Sequence, residues 1–354
     1  MKRIYSIDFF KLLFAYLIAF SHFNINLPGA NIAVVFFFII SGYFLGKKFY
    51  LKSASTKNSY SGVQYTIDHF KTLYPHYIFS LMLMFSYFIF KNVYYILIDS
   101  AFACSISALL QKTYDLLPEL FLVQNIGFFN GGMNYPLWQV CALLICGYFI
   151  YTLLYYNEKK STNIIFPAAI ILIQTYLKGV TDIFGTAGMF YIPLLRAFSA
   201  ISFGVLICKF LNSSYYKENI LKYKNTMNIC SVMALVSVFM GSHNDIFLII
   251  AVFIIAALVD PTSWLNKVFN NKIFRKAGIF SYSIYLNHAL VIWIVKDFQP
   301  EIFSIFNINE TKLSSGLFFF VVLTVYSLIT TSVVEYLKQK NLKKSGSMVK
   351  NTGR

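Results

Sequence analysis

Apolar runs separated by short, lysine-bearing polar links recur along almost the whole 354-residue chain. Stretches long enough to cross a bilayer, about 17–25 residues of helix, begin near residues 4, 31, 73, 136, 163, 189, 226, 244, 279 and 316. This pattern predicts an all-α, polytopic membrane protein, a bundle of about ten transmembrane helices. The second and fifth runs are short, and the seventh and eighth are parted only by GSHND at 241–245. The longest link, roughly 91–135, holds a weakly apolar stretch at 93–110 and then YDLLPELFLVQNIGFFNGGMNYP, so re-entrant or interfacial helices are expected there.

Composition agrees: 58% of the residues are hydrophobic and only 12% charged, a balance foreign to a soluble domain of this size. The net charge of +16 would suit a nucleic-acid partner, but no basic domain stands outside the apolar spans. The basic residues instead alternate from link to link. With Lys2 and Arg3 placed inside, the cytoplasmic links carry Lys47, Lys48, Lys52, Lys57 and Lys71, then Lys159 and Lys160, then Lys209 to Lys224, then Lys267 to Lys276. Together with the tail these hold 23 of the 30 basic residues, which predicts both termini in the cytoplasm. The expected organisation is one membrane domain over 1–337 and a basic cytoplasmic tail over 338–354, placed to touch anionic lipid. The five cysteines sit mostly in apolar runs without metal-ligand spacing, so no metal is expected. No A-x-A-like cleavage site follows the first apolar run, which reads as an uncleaved anchor.

Ionisable groups inside spanning helices are costly, so each is a candidate for function. In SIDFFKLLFAYLIAFSHF, residues 6–23, Asp8, Lys11 and His22 share one stripe at about 100° per residue. Lys11 and His22 lie about 16 Å apart along the axis, a cation toward the cytoplasm and an imidazole toward the outside. The structural alternative pairs Asp8 with Lys11 at i,i+3 and leaves His22 in the outer headgroups. In SYSIYLNH, residues 281–288, Ser281, Tyr285 and His288 fall on one face, with His288 near mid-membrane; the alternative is a buried histidine bonded to a neighbouring helix. Arg196 offers planar, multi-donor binding to an anion or carbonyl, or else holds a helix carbonyl. P-loop, GxSxG and HExxH patterns are absent. What these residues offer is an imidazole base among cations suited to an anionic substrate.

The same residues carry a resemblance. IDFFKLLFAYLIAFSH resembles the first helix of the acyltransferase-3 family of membrane O-acyltransferases, which modify sugars of bacterial surface polysaccharides, with Lys11 and His22 at the spacing of its basic residue and catalytic His. VVFFFIISGYFLG at 34–46, containing Ser41, resembles the family's second helix; NYPLW at 134–138 resembles its Trp-containing segment, and SYSIYLNH its SYS-x-YL-x-H. One departure is HFKTLYP, where His69 and Thr72 occupy the places of an Arg-x-x-Arg pair and Lys71 is adjacent. Another is the absence of a Glu that some members carry after the Trp, with Gln139 and Ala142 nearby. The resemblance is to the short, stand-alone form of the family.

The resemblance implies acetyl-CoA as acyl donor, supplied from the cytoplasm, and a glycan or lipid-linked glycan as acceptor at the outer half of the membrane. It implies His22 as general base, worth about 10²–10⁴-fold, and Arg196, Trp138, Tyr282 or Tyr285 as donors to the developing oxyanion. Lys11, Lys47, Lys48 and Lys71 are then candidates for the CoA phosphates, with Asp8 orienting Lys11 and His288 a further site candidate. Two rival expectations are a transporter or flippase of a lipid-linked sugar, with Asp8, Lys11 and His288 as a proton relay, and a non-catalytic member of the same fold.

Overall fold

The computed structural model describes residues 3–25, 27, 29–55, 60–98, 102–124, 132–180, 185–187, 190–240 and 244–351. Lys2, Lys57, Arg354, residues 241–243 of the GSHND link and residues 125–131 of the expected re-entrant segment lie outside them. The described chain is helical apart from turns and a two-residue antiparallel ladder, Thr186–Ala187 against Phe190–Tyr191. Its helices are α1 (Tyr5–His22), α2 (Ala30–Ser55), α3 (Gly62–Ile98), α4 (Phe102–Leu120), α5 (Trp138–Lys160) and α6 (Phe166–Tyr176). There follow α7 (Ile192–Asn212), α8 (Lys224–Phe239), α9 (Asn244–Val259), α10 (Trp264–Phe269), α11 (Ala277–Ile305) and α12 (Lys312–Asn351).

Among the described residues, six helical stretches are long and apolar enough to cross a membrane: α2, α3, α5 continued into α6, α7, α11 and α12. The expected count of about ten is not reached on that criterion. The first helix is only 18 residues long and carries Asp8, Lys11 and His22, while α8 and α9 have 16 residues each. The α5–α6 stretch changes direction at Asn157, whose backbone is extended (φ −156°, ψ 90°), so two predicted runs are joined through a kink and a π-helical turn. The third helix begins eleven residues ahead of its expected start, and α12 continues through the expected tail to Asn351.

The helices pack through small residues. On α2, Gly42 and Gly46 stand four apart, and α2 packs most extensively on α7. A Cβ on Gly42 would lie 2.0 Å from the Ile201 carbonyl oxygen, and one on Gly204 of α7 would lie 2.0 Å from that of Ile39. Without lipid-excluding force between apolar helices, such close backbone approach supplies the dispersion contacts that hold them. Helix α1 lies chiefly on α11 and also against α2 and α9. Apolar burial grades outward: 67% of the apolar window of α11 is buried but only 28% of that of α12. Accordingly Leu313, Leu317, Val321, Leu328 and Ile329 of α12 are each more than half exposed, as a helix facing lipid requires.

Helix ends set the positions of the polar groups. Asn24 adopts φ 65°, Ile25 N–H donates to the Phe20 carbonyl at 3.1 Å and Asn24 N–H to that of Ser21 at 3.3 Å. This Schellman closure stops α1 directly after His22. Asn307 closes α11 in the same way.

Candidate active site

The buried end of α1 opens on a cavity of about 610 Å³, within the size range of small-molecule sites. Lys11, Ser41, Lys48, His69, Thr72, His76, Gln139, Ser281, Tyr282, Tyr285, Glu335 and Lys338 supply its polar lining. Lys11 stands over the Phe44 ring at 5.1 Å, a cation–π contact. Lys48 stands over Tyr60 at 4.7 Å and reaches Asp68 at 3.3 Å. His76 is bonded to Glu335 at 3.0 Å, and Glu335 also accepts from Lys338 at 3.1 Å, which ties α3 to α12. A stacked tier of His69, Tyr65 and Tyr151 flanks Lys48, with successive centroids 5.5 and 4.8 Å apart.

Several expected residues meet in this cavity and others do not. The direct ion-pair partner of Asp8 is Arg3, at 2.5 Å, rather than Lys11, and its carboxylate lies close against Gly278 of α11. Of the four candidate cations, Lys11 and Lys48 line the cavity. Lys71 lies on an exposed face of α3, and Lys47 points toward Cys208 on α7. Other side chains fill the lining in their place. His69 and Thr72, at the positions of the family's arginine pair, do face the cavity, and with Leu73 and His76 they form an i, i+3, i+4, i+7 face of α3 that periodicity alone could have found. Lys338 was assigned to a solvated tail, but the uninterrupted α12 carries it back to the cavity mouth.

Just beyond the cavity wall is a layer of imidazoles. Tyr285 lines the cavity, donates its hydroxyl to the Pro136 carbonyl at 2.5 Å, and has its ring 5.7 Å from that of His288. The His288 ring lies 5.3 Å from that of His22 with only 17° between their planes. Tyr135 packs edge-on against both, at 5.0 and 5.9 Å. His22 is exposed at the end of α1, whereas His288 is fully buried. His288 Nδ1 bonds the Tyr285 carbonyl at 2.7 Å. A carbonyl only accepts, so Nδ1 carries the proton and Nε2 keeps a lone pair, with no protein partner.

The two motif segments divide their work. In SYSIYLNH, Ser281 and Tyr282 line the cavity with Tyr285, and the Tyr282 hydroxyl donates to the Leu73 carbonyl at 3.4 Å. Ser283 and Asn287 point the other way, into a buried network with Thr330 and the Ser327 carbonyl of α12. In NYPLW, Tyr135 and Pro136 make the contacts to the imidazole layer, while Trp138 is buried against Phe38 at 5.9 Å and does not line the cavity. Arg196 also stands apart from it, with its Nη2 donating to the Val180 carbonyl at 2.8 Å across the α6–α7 link. Ser41 lines the cavity and its hydroxyl caps the Phe37 carbonyl at 2.8 Å.

Glu119 is a further residue unmarked by motif reading, and it acts on Asn134, the first residue of NYPLW. Glu119 is fully buried at the end of α4 and accepts the Asn134 N–H at 2.9 Å, while Asn134 Nδ2 donates to the Leu286 carbonyl at 3.1 Å. They hold the segment leading into Tyr135 against α11.

Comparison with known proteins finds distant relatives and a family. Relatives from Staphylococcus aureus strains COL, MSSA476 and MRSA252, each provisionally named an O-acetyltransferase, are 23% identical over 305 residues, covering 78% of this chain and 48% of theirs. The chain thus spans about half the length of these relatives. No solved structure matches. The model of the acyltransferase-3 family, described as an acyltransferase domain, matches residues 4–336, and the chain, a helical membrane protein, belongs to that family.

Proposed function

We propose that the chain is a membrane O-acyltransferase that moves an acetyl group from acetyl-CoA to a sugar hydroxyl of a surface polysaccharide. The observation that carries this reading is the His22–His288 pair, 5.3 Å apart, one side chain beyond a cation-lined cavity. Lys11, Lys48 and Lys338 offer charge to the donor's phosphates, and the His69–Tyr65–Tyr151 tier offers an aromatic face to its adenine. The pantetheine arm then runs along the α1–α11 groove toward Tyr285, whose hydroxyl must leave the Pro136 carbonyl for the thioester to pass.

At the imidazole layer, His22 removes the proton as the sugar oxygen attacks the thioester carbon. The carbon–sulfur bond breaks, and the imidazolium returns its proton to the departing thiolate. His288 Nε2, its lone pair fixed by the Nδ1 bond, faces the same layer and orients the hydroxyl. Tyr285, once released from Pro136, is the donor nearest the developing oxyanion, a role for which Arg196 and Trp138 are less suited by position.

The proposed topology has ten crossings, formed by α1, α2, α3, α5, α6, α7, α8, α9, α11 and α12, with both ends in the cytoplasm of a bacterial inner membrane. Alternation of the lysine-rich links supports it. This puts Lys11 and the cavity on the cytoplasmic side, and His22 toward the outside. The test is His22→Ala: the protein stays in the membrane, while the acetyl-ester signals of the surface glycan disappear from its NMR spectrum. Undiminished acetylation would sink the reading.

A further inference from the structure

At the other end of α1 a second cavity, about 420 Å³, begins where His22 ends. Phe23, Asn24 and Ile25 form one wall, Lys296, Gln299 and Pro300 of α11 another, and Glu310, Thr311, Lys312 and Ser315 close it. It combines hydrogen-bonding side chains with one aromatic ring. That mixture suits a saccharide, whose hydroxyls need donors and acceptors and whose ring faces are apolar.

Its charges narrow the class. Glu310 accepts from Gln299 Nε2 at 3.1 Å, and the same nitrogen donates to Ser315 Oγ at 2.7 Å. Gln299 is 5% exposed, and with both amide hydrogens used it presents its carbonyl oxygen to a ligand. Asp297, the carboxylate next to Lys296 in sequence, is occupied by Lys91 at 2.7 and 2.8 Å and by the Tyr87 hydroxyl at 2.7 Å. Among the described residues neither Lys296 nor Lys312 forms an ion pair. Two exposed lysines therefore line the cavity with one carboxylate that is already accepting a hydrogen bond. An excess of cation beside sugar-sized, polar walls calls for an anionic ligand.

We propose that this cavity is an acceptor subsite that binds an anionic saccharide, with the carboxylate or phosphate of one sugar between Lys296 and Lys312 while a hydroxyl of its neighbour lies at His22. The inference rests on the acyltransferase reading above and adds the charge class of the acceptor. It makes Lys296 and Lys312 specificity-determining residues outside the catalytic layer.

The test uses the full chain in phosphatidylcholine nanodiscs at low ionic strength with three probes: an oligoglucuronate, a neutral oligoglucose of equal length and an oligo(glycerol phosphate). Binding is read by saturation-transfer NMR and reaction by transfer of labelled acetyl from acetyl-CoA. The expected result is about tenfold tighter binding of an anionic probe than of the neutral one, lost in the Lys296→Ala/Lys312→Ala double variant. That variant should raise KM for the anionic acceptor without changing kcat, and leave the neutral probe unaffected. Whichever anionic probe gains identifies carboxylate or phosphate as the group read. Equal binding of all three, discrimination that survives the double variant, or displacement of the probes by phosphatidylglycerol in the disc would overturn the proposal. If charge discrimination stands while no probe receives acetyl, the subsite survives and the acyltransferase reading fails.

Discussion

The Lys11 cavity and the imidazole layer lie one side chain apart, yet they are built on opposite principles. In the cavity each cation is already answered: Lys11 by the Phe44 face, Lys48 by Asp68 and Tyr60, Lys338 by Glu335. In the layer and the segment behind it, buried polar atoms stand without a protein partner among the described residues, namely His288 Nε2 and Asn134 Oδ1. A partly exposed array of cations screens and shares a bound anion, so losing one member has a graded effect. A buried atom left with a lone pair is costly to hold and useful only if a substrate completes it, so losing it has an all-or-none effect. The difference separates where a donor would be held from where its bond would be broken.

After loss of the base His22 itself, the largest expected effect is therefore at His288. The His288→Asn variant retains a donor near the Nδ1 position for the Tyr285 carbonyl but has no basic atom where Nε2 lies. Acetyl transfer should fall about 10²–10⁴-fold, with donor affinity nearly unchanged and thermal stability close to that of the parent. Near-full turnover in His288→Asn would reduce this residue to a packing role. Next in size is Lys11→Met, which keeps the stem and removes the charge. It should raise KM for acetyl-CoA about tenfold at low salt and less at high salt, with kcat little changed. Lys338→Met should act in the same direction more weakly, because Glu335 and Lys48 remain. A collapse of kcat in Lys11→Met would break the division into a graded holding end and an all-or-none chemical end.

How much of this was legible beforehand follows the same division. Apolar periodicity and the lysine alternation marked the helices, because a membrane helix declares itself over some twenty consecutive residues. The i, i+4, i+7 face of SYSIYLNH and the stripe on α1 located the layer, since both are properties of one helix. What could not be read was which helices meet. The stacking of His22 on His288 depends on α1 lying on α11, and the pairing of Asp8 with Arg3 depends on how the chain enters α1. Lys338 shows the limit of composition, for a lysine-rich tail and a helical return to the cavity have the same residues. Lys71 fails for a simpler reason: a charge adjacent to the motif faces about 100° away from its neighbours on a helix. Gly42 was quoted as a motif letter, and its cause, backbone contact with Ile201, lies 159 positions further along the chain.

The smallest effect expected concerns what holds the layer in place. Glu119, at the end of α4, grips the Asn134 backbone and through it Tyr135, which walls both imidazoles. Burial pushes its carboxyl up to about 7, against the backbone N–H groups of Asn134 and Met133, which pull it down. A folded-state value raised above the unfolded one means stability that is full below the unfolded value and is lost as pH rises through about 7. The melting temperature of the purified protein should therefore decline between about pH 4.5 and pH 7 and level off above that, and Glu119→Gln, which can still accept from Asn134 but cannot ionise, should flatten that decline. At about pH 5 the two proteins should melt within a few degrees of each other. Activity of the variant at neutral pH should change less than that of Lys11→Met, because Glu119 touches neither imidazole and acts only by positioning Tyr135. A steep pH decline retained in Glu119→Gln would place the titrating group elsewhere. A variant as inactive as His288→Asn would mean that the imidazole layer depends on its α4 support as strictly as on its own bases.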